Sequence, residues 1–185
     1  LLSSSAECTP CDPGKYCDTP GNLYVTGSCS AGFFCGGGSS SQMPYTPAAF
    51  QISYSGETCV DVDVSMGSNN ICPPGHYCPQ ESTAPTKCPA GTNTSATGLT
   101  AESQCQPCMK GFYCPDLGTV NAIRPCIPGY YCPAGTATPL ANNTLKCTTG
   151  HYCPQGTDTP VDCQLGEYQD DIGMSYCKPC TGGYK

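Results

Sequence analysis

The stretch CIPGYYCPAG, residues 126–135, contains the core Cys-x-x-Gly-x-aromatic-Cys, which decides the fold because it recurs along the chain. Each copy keeps glycine at its fourth position and an aromatic residue before its second cysteine. Glycine adopts positive φ without a steric penalty, so we expect a tight turn in every copy. Six copies begin at Cys11, Cys29, Cys72, Cys108, Cys126 and Cys147.

Two further segments begin with Cys-x-x-Gly but have no cysteine at the seventh position. They span residues 88–108 and 163–180, and each ends in Cys-x-x-Cys. The natural closures of these segments are Cys88–Cys105 and Cys163–Cys177. For the six regular copies, pairing within each copy and crossed pairing between adjacent copies both remain open, because spacing alone does not define connectivity.

The composition indicates that disulfides replace a hydrophobic core. The 185 residues include 19 cysteines, whereas Leu, Ile, Val and Phe together number only 23. Burial of so few apolar side chains does not offset roughly 1.5 kcal/mol of ordering entropy per residue. A cross-linked loop such as 88–105 contributes about 3 kcal/mol in the chain-entropy description. We therefore predict small disulfide-rich modules of short β-hairpins and turns, with almost no helix, arranged as an extended tandem array.

The cysteine pattern also divides the chain. The predicted segments are a linker at 1–7, cysteine-rich repeats at 8–35, 72–104, 105–162 and 163–185, and an insertion at 36–71. The spacing from Cys8 to Cys35 returns 97 residues later, as expected for a larger repeat. The last repeat stops within a unit, so a cysteine is expected at position 186 of a longer array.

The insertion carries Cys59, which has no counterpart elsewhere in the repeat. We hypothesise that Cys59 is free or bonded to another chain. The alternative is local rewiring, in which Cys35–Cys59 or Cys59–Cys72 forms and displaces a neighbour. Alternating polar and apolar residues make 59–64 the best single strand candidate.

Disulfides at this density persist in oxidising compartments, so the predicted location is extracellular or at the cell surface. No apolar run approaches 18 residues, so no membrane span is predicted in this segment. The net charge of −7, with only seven basic residues, argues against nucleic acid as a partner.

No residue pattern in the sequence indicates catalysis, and we predict that the protein is not an enzyme. His76 and His151 share a variable repeat position, where other copies have Lys, Phe or Tyr, so they are expected to be half-exposed packing residues. Glu57, Asp61 and Asp63 are the candidate oxygen ligands for Ca²⁺, although this cation takes six to eight of them. Apart from that candidate site, no metal or cofactor is predicted. The Cys-x-x-Cys pairs lie in disulfide-type repeats, which argues against zinc.

Covalent glycans are the best supported modification. Asn93 and Asn142 each begin an Asn-x-Ser/Thr sequon in a loop between cysteines. Asn93 stands where other copies have an aromatic residue, so we expect this position to be exposed. Candidate O-linked positions are Thr136, Thr138, Thr157 and Thr159.

The segments CPAGTNTSATGLTAESQCQPC (88–108) and CQLGEYQDDIGMSYCKPC (163–180) resemble the ephrin-receptor-like cysteine-rich repeats, which are relatives of tumour-necrosis-factor-receptor and EGF-like modules. The CxPGYYCPxGT copies resemble those of very large surface proteins of algae, ciliates and other protists. Mastigonemes, the hairs of flagella, are also similar long arrays of cysteine-rich modules. The resemblance implies a disulfide-stapled fold at the cell surface.

Two functions are expected from this resemblance and from the residues. The first is a structural component of an extracellular glycoprotein filament, coat or appendage, which acts as a repeat spacer or fibre subunit. Its partners would be copies of itself or other filament or coat subunits. The second is the ectodomain of a receptor or adhesion protein, with the insertion as a loop that binds a protein or glycan. The insertion offers an apolar cluster of Met43, Tyr45, Phe50, Ile52 and Tyr54.

Overall fold

The computed structural model describes residues 9–19, 24–44, 69–121, 124–140 and 144–182. In these residues each copy is a tight turn closed by a disulfide, and short strand pairs connect one copy to the next. The only helical element of the described chain is a single 3-10 turn at Glu102–Gln104. The prediction of small disulfide-rich hairpin modules with almost no helix is therefore confirmed.

Every described disulfide lies inside one copy. The regular copies close as Cys11–Cys17, Cys29–Cys35, Cys72–Cys78, Cys108–Cys114, Cys126–Cys132 and Cys147–Cys153. The two variant segments close as Cys88–Cys105 and Cys163–Cys177. Of the two pairings that spacing left open, the structure has the one within each copy, and no crossed pair occurs among the described cysteines.

The turn within each copy has glycine at its third residue. In the copy that begins at Cys108, the N–H of Phe112 donates to the carbonyl of Met109 at 3.0 Å. The φ of Gly111 is 80°, the positive value that a type II turn requires at this place. The equivalent glycines of all eight copies have φ between 75° and 89°. The tight turn expected from the fourth-position glycine is thus present throughout.

The strands of the described residues are two or three residues long and form seven two-stranded sheets, in which each odd-numbered strand pairs with the next even-numbered one. Their bounds are β1 Lys15–Tyr16, β2 Gly27–Ser28, β3 Phe33–Cys35, β4 Asn69–Ile71, β5 His76–Tyr77, β6 Thr86–Lys87, β7 Thr92–Asn93, β8 Gln106–Pro107, β9 Phe112–Tyr113, β10 Arg124–Pro125, β11 His151–Tyr152, β12 Val161–Asp162, β13 Glu167–Tyr168 and β14 Lys178–Pro179. The strand candidate at 59–64 lies outside the described residues.

The registers show why these strands are short. Phe112 and Tyr113, which end one copy, pair with Pro125 and Arg124, which directly precede the next copy. Each odd-numbered strand begins directly after a turn glycine, and each even-numbered strand ends directly before a cysteine, so ladder pairing cannot extend. In the copy that begins at Cys126 the pairing shrinks to a single bridge between Tyr130 and Lys146.

Almost all buried hydrophobic residues of the described chain are half-cystines. Of fourteen buried hydrophobic residues in the described chain, twelve are half-cystines, and the other two are Phe34 and Leu99. Phe34 forms a cluster with Cys72 and Cys78, the disulfide of the following copy. The aromatic residue of a copy can therefore pack on its neighbour's disulfide.

The chain divides into two compact units. One comprises Leu1–Thr86 and Ala96–Gln104, and the other comprises Lys87–Ser95 and Cys105–Lys185. The first holds the copies that begin at Cys11, Cys29 and Cys72. The second holds those that begin at Cys108, Cys126, Cys147 and Cys163, together with the start of the variant segment at Cys88.

Candidate functional site

The feature that recurs most regularly is the junction between successive copies, which four backbone hydrogen bonds form. Two of them centre on the turn glycine. Between the copies at Cys108 and Cys126, the N–H of Gly111 donates to the carbonyl of Cys132 at 2.8 Å. The carbonyl of Gly111 accepts from the N–H of Cys126, also at 2.8 Å. The turn glycine thus uses both of its backbone polar groups to hold the next copy.

The other two bonds flank this pair. The N–H of Cys114 donates to the carbonyl of Thr136 at 3.0 Å, and the N–H of Gly135 donates to the carbonyl of Cys108 at 2.8 Å. Because buried backbone groups that lack a partner are costly, both cysteines of a copy depend on its neighbour. A copy is therefore satisfied only when the next copy is stacked on it.

The same four bonds form six complete junctions, with N···O distances from 2.7 to 3.1 Å. The complete junctions join the copies that begin at Cys11 and Cys29, Cys29 and Cys72, Cys88 and Cys108, Cys108 and Cys126, Cys126 and Cys147, and Cys147 and Cys163. Each of them lies inside one of the two compact units.

Turn glycines also meet the copy after next. A Cβ built on Gly111 would lie 2.5 Å from the carbonyl oxygen of Gly156, and one built on Gly91 would lie 2.5 Å from that of Gly135. No Cβ is tolerated that close to a backbone oxygen, so glycine is required there by space as well as by φ. Gly14, Gly32 and Gly129 are approached in the same way.

The approaching carbonyl belongs to a second turn, which in most regular copies directly follows the second cysteine, as residues 133–136 follow Cys132. The third residue of this second turn also has positive φ, and we reserve the name left-handed residue for it. The left-handed residues of the described chain are Gly38, Glu81, Gly98, Gly118, Gly135, Gly156 and Gly173, with φ from 64° to 83°. Their N–H groups donate to the first cysteine of the preceding copy. Sequence reasoning missed this second glycine, although its place in the CPxGT motif was a usable signal.

Glu81 is the only one of these left-handed residues that is not glycine. Left-handed backbone is unfavourable for residues with a Cβ, so an interaction must compensate for it. The carboxylate of Glu81 accepts from Lys15 Nζ at 2.6 Å and from Ser28 Oγ at 2.5 Å. Hydrogen bonds from Lys15 and Ser28, together with the Lys15 charge, hold the pKa of Glu81 below its usual value. The carboxylate ties its copy to the copy two places earlier.

A second ion pair has the same span. Lys110 Nζ lies 3.3 Å from the carboxylate of Asp158, in the loop of the copy after next. The Lys110 hydrogen bond lowers the pKa of Asp158. Both groups of this pair are substantially exposed, so its contribution to stability is small.

The variant segments place buried polar residues where the seventh-position cysteine is missing. Thr94 is 6% exposed and Gln169 is 3% exposed. The carbonyl of Gln169 accepts the junction bond from Gly150 at 2.7 Å. Its side-chain amide donates to the carbonyl of Tyr176 at 2.7 Å and accepts from the N–H of Asp171 at 3.0 Å. Gln169 thus replaces a cystine by hydrogen bonds, a role that sequence reasoning did not assign.

The two histidines stabilise turns. His76 Nδ1 lies 2.9 Å from the carbonyl of Pro74, and His151 Nδ1 lies 2.9 Å from that of Thr149. Both rings are half-buried, as expected. His151 Nε2 also lies 3.0 Å from a carboxylate oxygen of Asp162, its partner across the β11–β12 pair. These contacts are local: they place a single carboxylate, that of Asp162, at the His151 ring, and Pro74 and Thr149 contribute only backbone carbonyls.

No Cys-x-x-Cys pair offers two thiols, because at least one cysteine of each pair is a half-cystine, Cys11 in the first of them. Cys105, Cys108 and Cys177 are all half-cystines, and a disulfide sulfur is not a zinc ligand. No group of three or more metal-ligating side chains occurs among the residues that the structure describes. The candidate Ca²⁺ ligands Glu57, Asp61 and Asp63 lie outside that part of the chain.

The odd cysteines are placed only in part. Cys180 is a free thiol, and its N–H donates to the carbonyl of Gly166 at 2.8 Å, as the first cysteine of a copy does. Cys59 lies outside the described residues. Local rewiring through Cys35–Cys59 or Cys59–Cys72 is nevertheless contradicted, because Cys35 pairs with Cys29 and Cys72 with Cys78.

The proposed glycan acceptors differ in accessibility. Asn93 lies in β7 opposite Gln106 and is half-buried, while Ser95 of its sequon is exposed. Asn142 lies outside the described residues. The hydroxyls of Thr136 and Thr157 are buried and donate to the carbonyls of Pro133 and Pro154 at 2.6 Å. The prediction of O-linked sugar was therefore wrong for these two residues, whereas Thr138 and Thr159 are exposed.

A shallow cavity of about 390 Å³ lies at the start of the insertion. Ser39, Ser41, Met43 and Asn69 are among the residues that line it. Among the described residues, the side-chain oxygen of Asn69 is buried there without a hydrogen-bond partner. The other members of the predicted apolar cluster, from Tyr45 to Tyr54, are outside the described residues.

No helix in the described part of the chain is long and apolar enough to cross a membrane. Comparison with models of known protein families found no match. Comparison with curated proteins also found none.

Proposed function

We propose that this chain is part of an extracellular structural glycoprotein, in which disulfide-closed copies act as a spacer or fibre subunit of a filament, coat or surface appendage. The observation that supports this most is the recurrence of one junction, made of the same four backbone bonds, at six places. Because these hydrogen bonds join backbone groups, the same junction can form between many successive copies whose exposed side chains differ. The resemblance to ephrin-receptor-like repeats and to protist surface arrays points the same way.

The chemistry of the cysteines supports the location. Sixteen of the nineteen cysteines form the eight described disulfides, and this number of cross-links persists where thiols are not kept reduced.

Electron microscopy of the purified protein, combined with immunogold labelling of unpermeabilised cells, tests this proposal. We expect regular filaments or coats that carry the label outside the cell. Monodisperse chains that never assemble, with label confined to the cell interior, would contradict it. Intact mass before and after glycosidase treatment tests the glycan separately, because an acceptor at Asn93 or Asn142 adds mass that the enzyme removes.

A second candidate is an adhesion or receptor ectodomain that binds a protein or glycan. The cavity beside the insertion favours it, because the unpaired oxygen of Asn69 is an acceptor available to a polar ligand. Saturable binding of the purified monomer to cells, abolished by Asn69→Ala but retained in Asn70→Ala, would favour this function over the structural one.

A further inference from the structure

We propose that the array is an extensible tether, in which tension opens the junctions between copies while the copies themselves stay intact. This inference rests on the proposed structural role for the source of the tension. The mechanical property itself depends only on where the disulfides and the hydrogen bonds lie.

The covalent load path supports this proposal. All eight described disulfides close loops inside single copies, with Cα–Cα distances of 5.8 to 6.1 Å. None of the described disulfides joins two successive copies of the regular repeat. A pull on the chain therefore crosses each copy through its sulfur bridge and reaches the next copy through an unbridged linker, such as residues 154–162 between Cys153 and Cys163.

Only non-covalent contacts keep such a linker folded back. At this junction Tyr152 pairs with Val161 and His151 with Asp162, and the four junction bonds are added to that pairing. An isolated two-stranded ribbon is marginally stable in water, so the junction is the weakest part of the load path. Tension is expected to open junctions before it deforms any copy.

The opened state can close again without rearrangement. Each separated copy keeps its disulfide, so its turn glycine remains close to the geometry that the junction needs. Apart from the insertion at 36–71, the linkers between copies have at most 14 residues. Closing a loop of about ten residues takes on the order of 10–100 ns. No disulfide needs to be exchanged, so recovery is limited by restacking of the copies alone.

The alternative connectivity would have the opposite property. Crossed pairing between adjacent copies, which the cysteine spacing left open, would bridge every junction covalently and make the array inextensible. With pairing within copies the junctions are not bridged covalently, so the chain lengthens under tension. The extension is limited because the disulfide-closed loops stay closed.

Single-molecule pulling on the intact oxidised chain, held at its two ends, tests the proposal. We expect stepwise lengthening and recovery on relaxation. The final length should fall about 19 nm short of the fully extended chain, because the eight loops remain closed at roughly 3.6 Å per residue. Added reductant should release the missing length.

A matched pair of variants assigns the steps to junctions. Gly111→Ala is expected to lower the force of one step more than Gly150→Ala does in this chain, because a carbonyl of the copy after next faces Gly111, whereas the copy after next to Gly150 is described only to residue 182. An oxidised chain that reaches rupture of its attachments without lengthening would overturn the proposal. So would one that extends to its full contour without reductant. Neither result would bear on whether the protein forms filaments, so failure here is distinguishable from failure of the structural role.

Discussion

At the turn glycines, a substitution by alanine has two costs, which are backbone strain at positive φ and a clash of the new Cβ. The two can be separated where the φ values are nearly equal and the neighbours of the Cβ position differ. Gly111 has φ of 80° and Gly150 has φ of 79°. The carbonyl of Gly156 approaches the Cβ position of Gly111 to 2.5 Å, whereas no described atom lies within 4 Å of that of Gly150, whose copy after next begins at Cys180 and is described only to residue 182. The pair therefore distinguishes backbone strain from steric exclusion by the copy after next.

Gly150→Ala is expected to lower the free energy of unfolding by about 1–2 kcal/mol, which is the cost of a left-handed residue with a Cβ. Gly111→Ala carries the same cost and an additional ~1–3 kcal/mol from the clash with a backbone oxygen that has little room to move. Chemical denaturation of the two oxidised variants measures the difference. Equal effects would show that copies two places apart do not press on each other.

Glu81 confers a pH dependence on stability. The hydrogen bonds and charge of Lys15, with the Ser28 hydroxyl, hold its pKa below the usual 4.5. The unfolded chain therefore takes up this proton more readily, so the stabilisation is fully present above about pH 4.5 and is lost as the pH falls through the lower folded-state pKa.

We expect Glu81→Gln to lower the thermal midpoint at pH 7 and to reduce the fall in midpoint between about pH 5 and pH 3. Glu167→Gln, a change at an exposed glutamate in β13, is the matched control and should leave both quantities near those of the parent chain. If the two variants show the same pH profile, Glu81 does not link the copies.

At the scale of the element, the hairpin of the last variant segment depends on one amide. Gln169 is buried and binds both Asp171 and Tyr176, while Gln164 in the same segment is exposed. Gln169→Ala should cost about 1–3 kcal/mol because it removes two hydrogen bonds of a buried side chain, each worth about 0.5–1.5 kcal/mol, and Gln164→Ala should cost little. Amide hydrogen exchange at Asp171 reports the change directly. Unchanged protection in Gln169→Ala would contradict this role.

The strand pairs themselves could be predicted only as a class. The glycine, aromatic and cysteine spacing indicates turns followed by short extended pieces, and these are what forms. Their partners were not predictable, because two-residue strands such as β9 and β10 lack a hydrophobic pattern that would define a register. The register is set instead by the turn glycine, whose N–H and carbonyl groups both form hydrogen bonds with the next copy.

At the scale of the molecule, stability depends mainly on the disulfides. Twelve of the fourteen buried hydrophobic residues of the described chain are half-cystines, which is why so few Leu, Ile, Val and Phe residues suffice. Because each bridge is local, the copies are individually rigid and the junctions between them are not. This division gives an array that resists proteolysis within its copies and accommodates strain between them.

The sequence by itself determined the repeat, the turn at each fourth-position glycine, the reliance on disulfides and the closure of both variant segments, because these follow from spacing within one copy. The tertiary structure alone decided that the regular cystines close within copies, that Gln169 and Glu81 stand in for a cystine and a glycine, and that Thr136 and Thr157 are buried. Those outcomes depend on atoms supplied by neighbouring copies, and distances across a junction are not encoded in the spacing inside any single one.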